Sequence, residues 1–137
     1  MLPPPQPVIR RAYQAFAERD VEALRTLSTP DIEIRAMTGV LAERDEPYRG
    51  YEGIAEYLQD VAKVWDELEL EPVDFHQLAS GEILVYGRVR ARRGTMRVDS
   101  ANAWRWRLED GKIAAVVVFG DLLDAAEVLR EDGEDPA

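Results

Sequence analysis

The second half of the chain constrains the fold most. Four runs of strand-forming residues, 68–78, 83–92, 97–108 and 112–119, follow one another with short connections at Ser80-Gly81, Arg93-Gly94 and Asp110-Gly111 between them. Connections this short cannot carry a crossover helix, so successive strands must pair antiparallel. Asp-Gly is among the strongest hairpin signals, because both residues tolerate the positive φ of the tight turns that match strand twist. The four runs therefore predict an antiparallel meander.

Alternate residues of a strand face opposite sides, so parity assigns the faces. In the run 83–92, Val85, Gly87, Val89 and Ala91 share one face, while Tyr86, Arg88, Arg90 and Arg92 share the other. In the run 97–108, Val98, Ser100, Asn102, Trp104, Trp106 and Leu108 oppose Arg97, Asp99, Arg105 and Arg107. Burying several unpaired arginines is prohibitive, so the apolar set must be the inner face. Seven of the fifteen arginines fall between Arg88 and Arg107, which makes the outer face an arginine ladder. That ladder reads as an anion or partner surface, or as cross-strand ion pairs with Glu69, Glu71 and Asp99, or as the interface of a homodimer.

Helices precede the meander. Ile9, Ala12, Tyr13 and Phe16 recur at helical spacing, which predicts a helix over residues 7–19. Asp20 is placed to cap a short second helix that turns Leu24 and Leu27 inward and stops at Pro30. Residues 31–36 alternate as a strand, and a polar loop over 38–50 is long enough to be a rim or lid. Ile54, Tyr57, Leu58, Val61 and Trp65 then form one apolar stripe of a long third helix. After the meander, Asp121 and Asp124 open a last helix, where acids favour the positive end of the dipole and account for Asp121 by capping alone. Helices followed by hairpin-linked strands make an α+β plan, a curved antiparallel sheet wrapped as a cone around a long helix and the N-terminal helices. Residues 8–130 are expected to be one domain, flanked by a Pro-rich N-terminus over 1–7 and an acidic tail over 131–137, neither with apolar surface to bury.

Composition narrows the function. With 137 residues, 27 acids and 17 bases, the chain carries a net charge of −10, which argues against nucleic acid as a partner. Apolar runs fall short of the roughly 18 residues that span a membrane, and MLPPPQP has no apolar signal-peptide core, so a cytoplasmic protein with no membrane partner is expected. With no cysteine and the single histidine His76, thiolate nucleophiles and multi-ligand metal sites are hard to build, and no metal or cofactor is expected.

Several segments together resemble one family. IRRAYQAFAERDVEAL (9–24) is similar to the opening helix pair of the nuclear-transport-factor-2-like superfamily in its SnoaL-like branch. YRGYEGI (48–54) resembles the start of its third helix, and EDGKI (109–113) with DLLDAAEVL (121–129) its final hairpin and C-terminal helix. The resemblance implies a cystatin-like α+β roll with an interior pocket, commonly dimeric through the outer sheet face. It does not supply a reaction, because this fold hosts isomerases, cyclases, hydrolases and non-catalytic modules. By resemblance to the ketosteroid isomerases, the general-base Asp would fall at Ala36 and the oxyanion Tyr near Ala12. By resemblance to the limonene-epoxide hydrolases, the Asp–Arg–Asp set would fall at Val89, Ala91 and Val118. Proton transfer needs titratable groups there, and this chain carries methyl groups.

Two functions follow from the residues. The first is a binding module, with an apolar pocket lined by Ile34, Tyr57, Val61, Trp65, Val89, Trp104 and Val118 that holds a hydrophobic small molecule. In that pocket Asn102 either meets a ligand carbonyl or satisfies a backbone group, and Tyr13 and Tyr57 offer hydroxyls. The second is an enzyme of the cyclase, isomerase or hydrolase kind, with His76 or a loop acid between Glu43 and Glu46 as base. A filled core would leave only a dimerisation scaffold.

Overall fold

The computed structural model describes residues 5–36, 42–44 and 46–119. The chain termini, residues 37–41 and 45 around the loop expected over 38–50, and the helix expected over 121–129 lie outside the described residues.

Helix α1 (Pro5–Ala17) buries Ile9, Ala12, Tyr13, Ala15 and Phe16, the stripe that its spacing predicts. It ends two residues earlier than expected, and the reason is local. Arg19 takes φ 55°, and this left-handed turn lets Asp20 N–H donate to the Ala15 carbonyl and Arg19 N–H to the Phe16 carbonyl at 2.9 and 3.0 Å. These two bonds are the Schellman pattern that satisfies the last carbonyls of a helix. A side chain in the left-handed region costs about 1 kcal/mol, which is why glycine usually takes this position. Asp20 then caps α2 (Val21–Thr26), accepting from Ala23 N–H at 3.1 Å as its sequence position predicts.

Strand β1 (Ser28–Arg35) turns Ile32 and Ile34 inward. The two-residue strand β2 (Tyr48–Arg49) pairs with it antiparallel and leads directly into α3 (Gly50–Val64). The buried stripe of α3 is Ile54, Tyr57, Leu58, Val61 and Val64. The meander is β3 (Glu67–Gln77), β4 (Ile83–Arg93), β5 (Met96–Glu109) and β6 (Lys112–Phe119). The Asp110-Gly111 turn has positive φ at both residues, 49° and 79°, the geometry that a two-residue hairpin of matching twist requires.

The sheet has six strands in the order β2-β1-β6-β5-β4-β3. It is mixed, because β1 runs parallel with β6 while every other pair is antiparallel. The chain between β1 and β6 includes α3 and four strands, long enough for β1 to take the free edge of β6 in either sense.

Curvature comes from identifiable irregularities. Between Pro72 and Asp74 the β3–β4 register slips at Val73, and between Arg107 and Leu108 the β5–β6 register slips against Ala114. Such bulges bend a strand and increase its twist. Opposite the first bulge stands Gly87, where a Cβ would lie 2.0 Å from the Glu71 carbonyl oxygen. Only glycine lets β3 press this closely on β4 and curl the sheet over the helices.

The two sheet faces follow parity, with one addition. The inner face, with α1 and α3, forms the main core around Trp104, Trp106, Val85, Ile83, Ile113 and Val116. Burying the indole of Trp104, 2 % exposed, contributes at most roughly 4–6 kcal/mol at the usual area coefficient. On the outer face Arg88, Arg90 and Arg92 are paired. Arg88 meets Asp99 at 2.6 Å, Arg90 meets Glu71 at 3.5 Å, and Arg92 meets Asp66 and Glu67 at 3.2 and 3.7 Å. Asp99 and Glu71 are partners that the alternation predicts, whereas Glu69 stands opposite Arg90 in register but Arg90 reaches Glu71 instead. The addition is a second apolar cluster on the outer side, built on Leu78, Leu84 and Ala103 with Tyr86 and Phe119 against it. The ladder thus occupies only part of that face.

Candidate functional site

Between the concave face of the sheet and the helices lies an apolar cavity of about 60 Å³. Every layer contributes to its wall: Tyr13 and Phe16 from α1, Leu24 from α2, Ile32 and Ile34 from β1, Ile54 and Tyr57 from α3. The sheet adds Leu70, Trp104, Trp106 and Val118. The cavity is small beside the roughly 300–1,000 Å³ of a drug-sized pocket, and room for a few atoms is all that it offers unless its walls move.

Tyr13 organises the floor. Its ring meets Trp104 edge-on at 5.5 Å and Trp106 at 5.3 Å, the T-shaped arrangement that brings a positive ring edge to a negative face. The Trp106 indole N–H donates to the Tyr13 hydroxyl at 3.3 Å. On the other side Tyr57 stacks on Phe16 at 5.7 Å and leans on Tyr48 at 5.1 Å. Tyr48 in turn donates to Asp60 at 2.8 Å, and Arg44 covers the Tyr48 ring while pairing with Glu56 at 2.9 Å.

The polar atoms of the cavity are hydroxyls. Ser28 donates to the Leu24 carbonyl at 2.7 Å. Burial pushes the Tyr57 phenol up to about 12, opposed only by the positive charge of Arg19. Burial also raises the Tyr13 phenol, with the Trp106 hydrogen bond pulling the other way. Both phenols are neutral at physiological pH, as an ordinary phenol is, so neither serves as a base, and the Tyr13 hydroxyl accepts from the Trp106 indole. Among the described residues that line the cavity there is no carboxylate and no histidine.

Of the residues expected to bind a ligand, Ile34, Tyr57, Trp104 and Val118 line the cavity. Four others do not. Val61 is buried one turn beyond Tyr57 and packs in the core. Trp65 follows the end of α3 with an extended backbone (φ −116°, ψ 136°), so the helical stripe finishes on Val64 instead. Val89 faces Leu70 and Ser100 further along the sheet, toward the β4–β5 hairpin. Asn102 stands opposite Gly87 and accepts from the Ser100 hydroxyl at 2.9 Å. His76 is exposed, opposite Leu84 on the outer face, with its ring against Tyr86. Glu43 and Glu46 are exposed, and Asp45 lies outside the described residues.

Tyr13, expected to offer a hydroxyl, lines the cavity, and Phe16 and Trp106 are among the wall residues beyond the expected set. Their signal was present as the apolar stripe of the first helix and the inward parity of Trp106, but neither separates a cavity wall from a filled core. Ala12, where the isomerases' oxyanion tyrosine would fall, does line the cavity and brings only a methyl group. Val118, a hydrolase position, does the same.

A curved sheet wrapped around an apolar cavity and closed by helices on its concave side defines the class of cone-shaped α+β pocket proteins. The chain belongs to the SnoaL-like domain family, whose model matches residues 9–116. No curated protein matches the sequence. Among solved structures it is similar to TerC co-crystallised with polyporic acid, at 22% identity and TM-score 0.76 over 93% of this chain and 99% of that one. It is similar at 20% identity and TM-score 0.76 to an NTF2-like protein of unknown function from Burkholderia pseudomallei, covering 94% of this chain and 97% of that one. A Mycobacterium tuberculosis protein, RV0760c, in complex with estradiol-17beta-hemisuccinate, matches at 14% identity and TM-score 0.70 over 87% and 95% of the two chains. No helix among the described residues is long and apolar enough to cross a membrane.

Proposed function

We propose that the protein binds a small hydrophobic molecule in the cavity between α1, α3 and the inner sheet face. The observation that carries this reading is the wall itself, built from aliphatic and aromatic side chains with Tyr13 and Tyr57 among them. An apolar ligand with one acceptor, such as a carbonyl, matches such a wall. TerC and RV0760c, both of this fold, were crystallised with small molecules, which supports the same reading. A base-catalysed reaction finds less support, since His76 faces outward and no carboxylate is among the described residues that line the cavity.

The test is a titration with N-phenyl-1-naphthylamine, a neutral aromatic probe. Binding in the cavity quenches the emission of Trp104 and Trp106 and raises the melting temperature. A probe that leaves both unchanged at saturating concentration removes the support for this function.

A second copy meeting the outer sheet face belongs to the same proposal. Arg88, Arg90 and Arg92 alternate there with Asp99, Glu71 and Asp66, and a surface of interleaved charge is complementary to its own two-fold image. Sedimentation equilibrium of the wild type and of Arg90→Glu tests it: a dimer that the substitution weakens is expected, and a monomeric wild type refutes it.

A further inference from the structure

Along the seam between α1 and β3 runs a surface groove of about 340 Å³, lined by Tyr13, Phe16, Ala17, Leu68, Glu69 and Leu70. Tyr13, Phe16 and Leu70 also line the cavity. These shared side chains separate the groove from the cavity. Phe16 links the two spaces to Arg19, because its ring stacks on Tyr57 and lies under the guanidinium of Arg19, 4.4 Å from the ring centroid.

Arg19 is held here by its backbone. It occupies the left-handed position at the end of α1, where glycine would close the helix equally well and without strain. The side chain that stands there spans the seam, donating to the Phe16 carbonyl on α1 and to the Leu68 carbonyl on β3. Those bonds engage two of the five N–H donors of a guanidinium. Among the described residues no carboxylate lies within ion-pair distance of Arg19, in contrast with Arg88, Arg90 and Arg92 on the sheet. Its charge reaches the cavity, because it is the influence that opposes burial at the Tyr57 hydroxyl. Glu69, the acid on the groove, stands opposite Arg90 in the β3–β4 ladder.

Resting on the small-molecule reading above, we propose that the ligand of this protein is an apolar molecule with an anionic end, a carboxylate or sulfonate, which enters between α1 and β3 past Phe16 and leaves that end on Arg19. The apolar body fills the cavity while the anion stays at the seam, within reach of the guanidinium donors that the two carbonyls leave open. In a chain of net charge −10, long-range attraction for an anion is absent. Recognition must come from a short, charge-assisted contact at this one residue.

Two probes with the same aromatic body separate the claims: 1-anilinonaphthalene-8-sulfonate, which is anionic, and the neutral N-phenyl-1-naphthylamine. Both are titrated by fluorescence into wild type, Arg19→Gly and Arg19→Lys. The glycine variant suits the left-handed backbone, so the end of α1 is preserved, and circular dichroism melts confirm the fold. Arg19→Gly is expected to weaken the sulfonate about tenfold and leave the neutral amine within twofold, with Arg19→Lys between the two. Equal changes for both probes, or none for the sulfonate, overturn the role of Arg19 while leaving the cavity as a binding site. A wild type that binds neither probe overturns the small-molecule reading itself, and this inference with it.

Discussion

The indole N–H of Trp106 donates to the hydroxyl of Tyr13 across 3.3 Å, joining β5 to α1 inside the core. It ties the floor of the cavity to the helix that forms its outer wall, two segments 93 residues apart in sequence. Because both groups are buried, neither has water as an alternative partner.

Tyr13→Phe follows from that bond. The substitution keeps the ring packing on Trp104 and Trp106 but leaves the indole N–H without its acceptor. A buried donor left unpaired costs about 1–3 kcal/mol. Urea denaturation is expected to show a loss of that size, and unchanged stability would mean that water already serves the Trp106 N–H.

Gly87→Ala tests the origin of the curvature. The added Cβ would stand 2.0 Å from the Glu71 carbonyl oxygen, and the obstacle is backbone rather than a side-chain tip. Overpacking of this kind costs about 3 kcal/mol or more when the backbone must shift. A thermal melt showing a variant within about 0.5 kcal/mol of wild type would contradict the close approach of β3 to β4.

These two sites show how much of the fold the sequence carries. The Asp110-Gly111 turn, the cap at Asp20 and the inward parity of Trp104 and Trp106 are local or periodic, and all are legible from residue type and spacing. Position along a strand is not. Val89, Asn102 and Trp104 share a face by parity, yet only Trp104 reaches the cavity, because the bulges at Val73 and Ala114 decide where the sheet closes on the helices. Trp65 continues the helical stripe in sequence, but the backbone turns extended at that residue. Parity also hid the second apolar cluster, since Leu84 and Ala103 are interleaved with arginines on the outer strands. The seam at Arg19 was invisible for a different reason: nothing in the residue type announces a left-handed arginine where glycine is the usual choice.

Alkaline pH tests the burial of Tyr57. Its phenol titrates at about 12 in the folded protein, against an ordinary value of about 10. A folded pKa raised above the unfolded one gives stability that is complete below pH of about 10 and lost as pH rises toward 12. Tyr57→Phe removes this group, so the decline in denaturation free energy between those pH values is expected to be shallower than in wild type. Parallel profiles would place the Tyr57 hydroxyl in solvent.

Acid pH tests the outer face. Two hydrogen bonds from Arg105, at 2.7 and 2.9 Å, hold the Glu82 carboxyl below its ordinary value, against a smaller opposing effect of burial. A depressed folded pKa gives stability present above pH of about 4.3 and lost as pH falls through the folded value. Glu82→Gln is expected to cost up to about 1 kcal/mol at pH 7, because the pair is partly exposed. The difference from wild type should shrink below pH 4, and a difference that holds constant with pH would show that Glu82 acts by packing rather than by charge.

Methyl spectra measure the cavity directly. In a sample labelled at the Ile and Val methyls, titration with N-phenyl-1-naphthylamine is expected to shift Ile32, Ile34, Ile54, Ile113, Val116 and Val118, the Ile and Val residues on the cavity wall. Val73, exposed on the β3 bulge, should stay in place. Shifts confined to exposed methyls, or none at all with the probe in excess, would contradict the claim that this protein takes an apolar molecule between α1, α3 and the sheet.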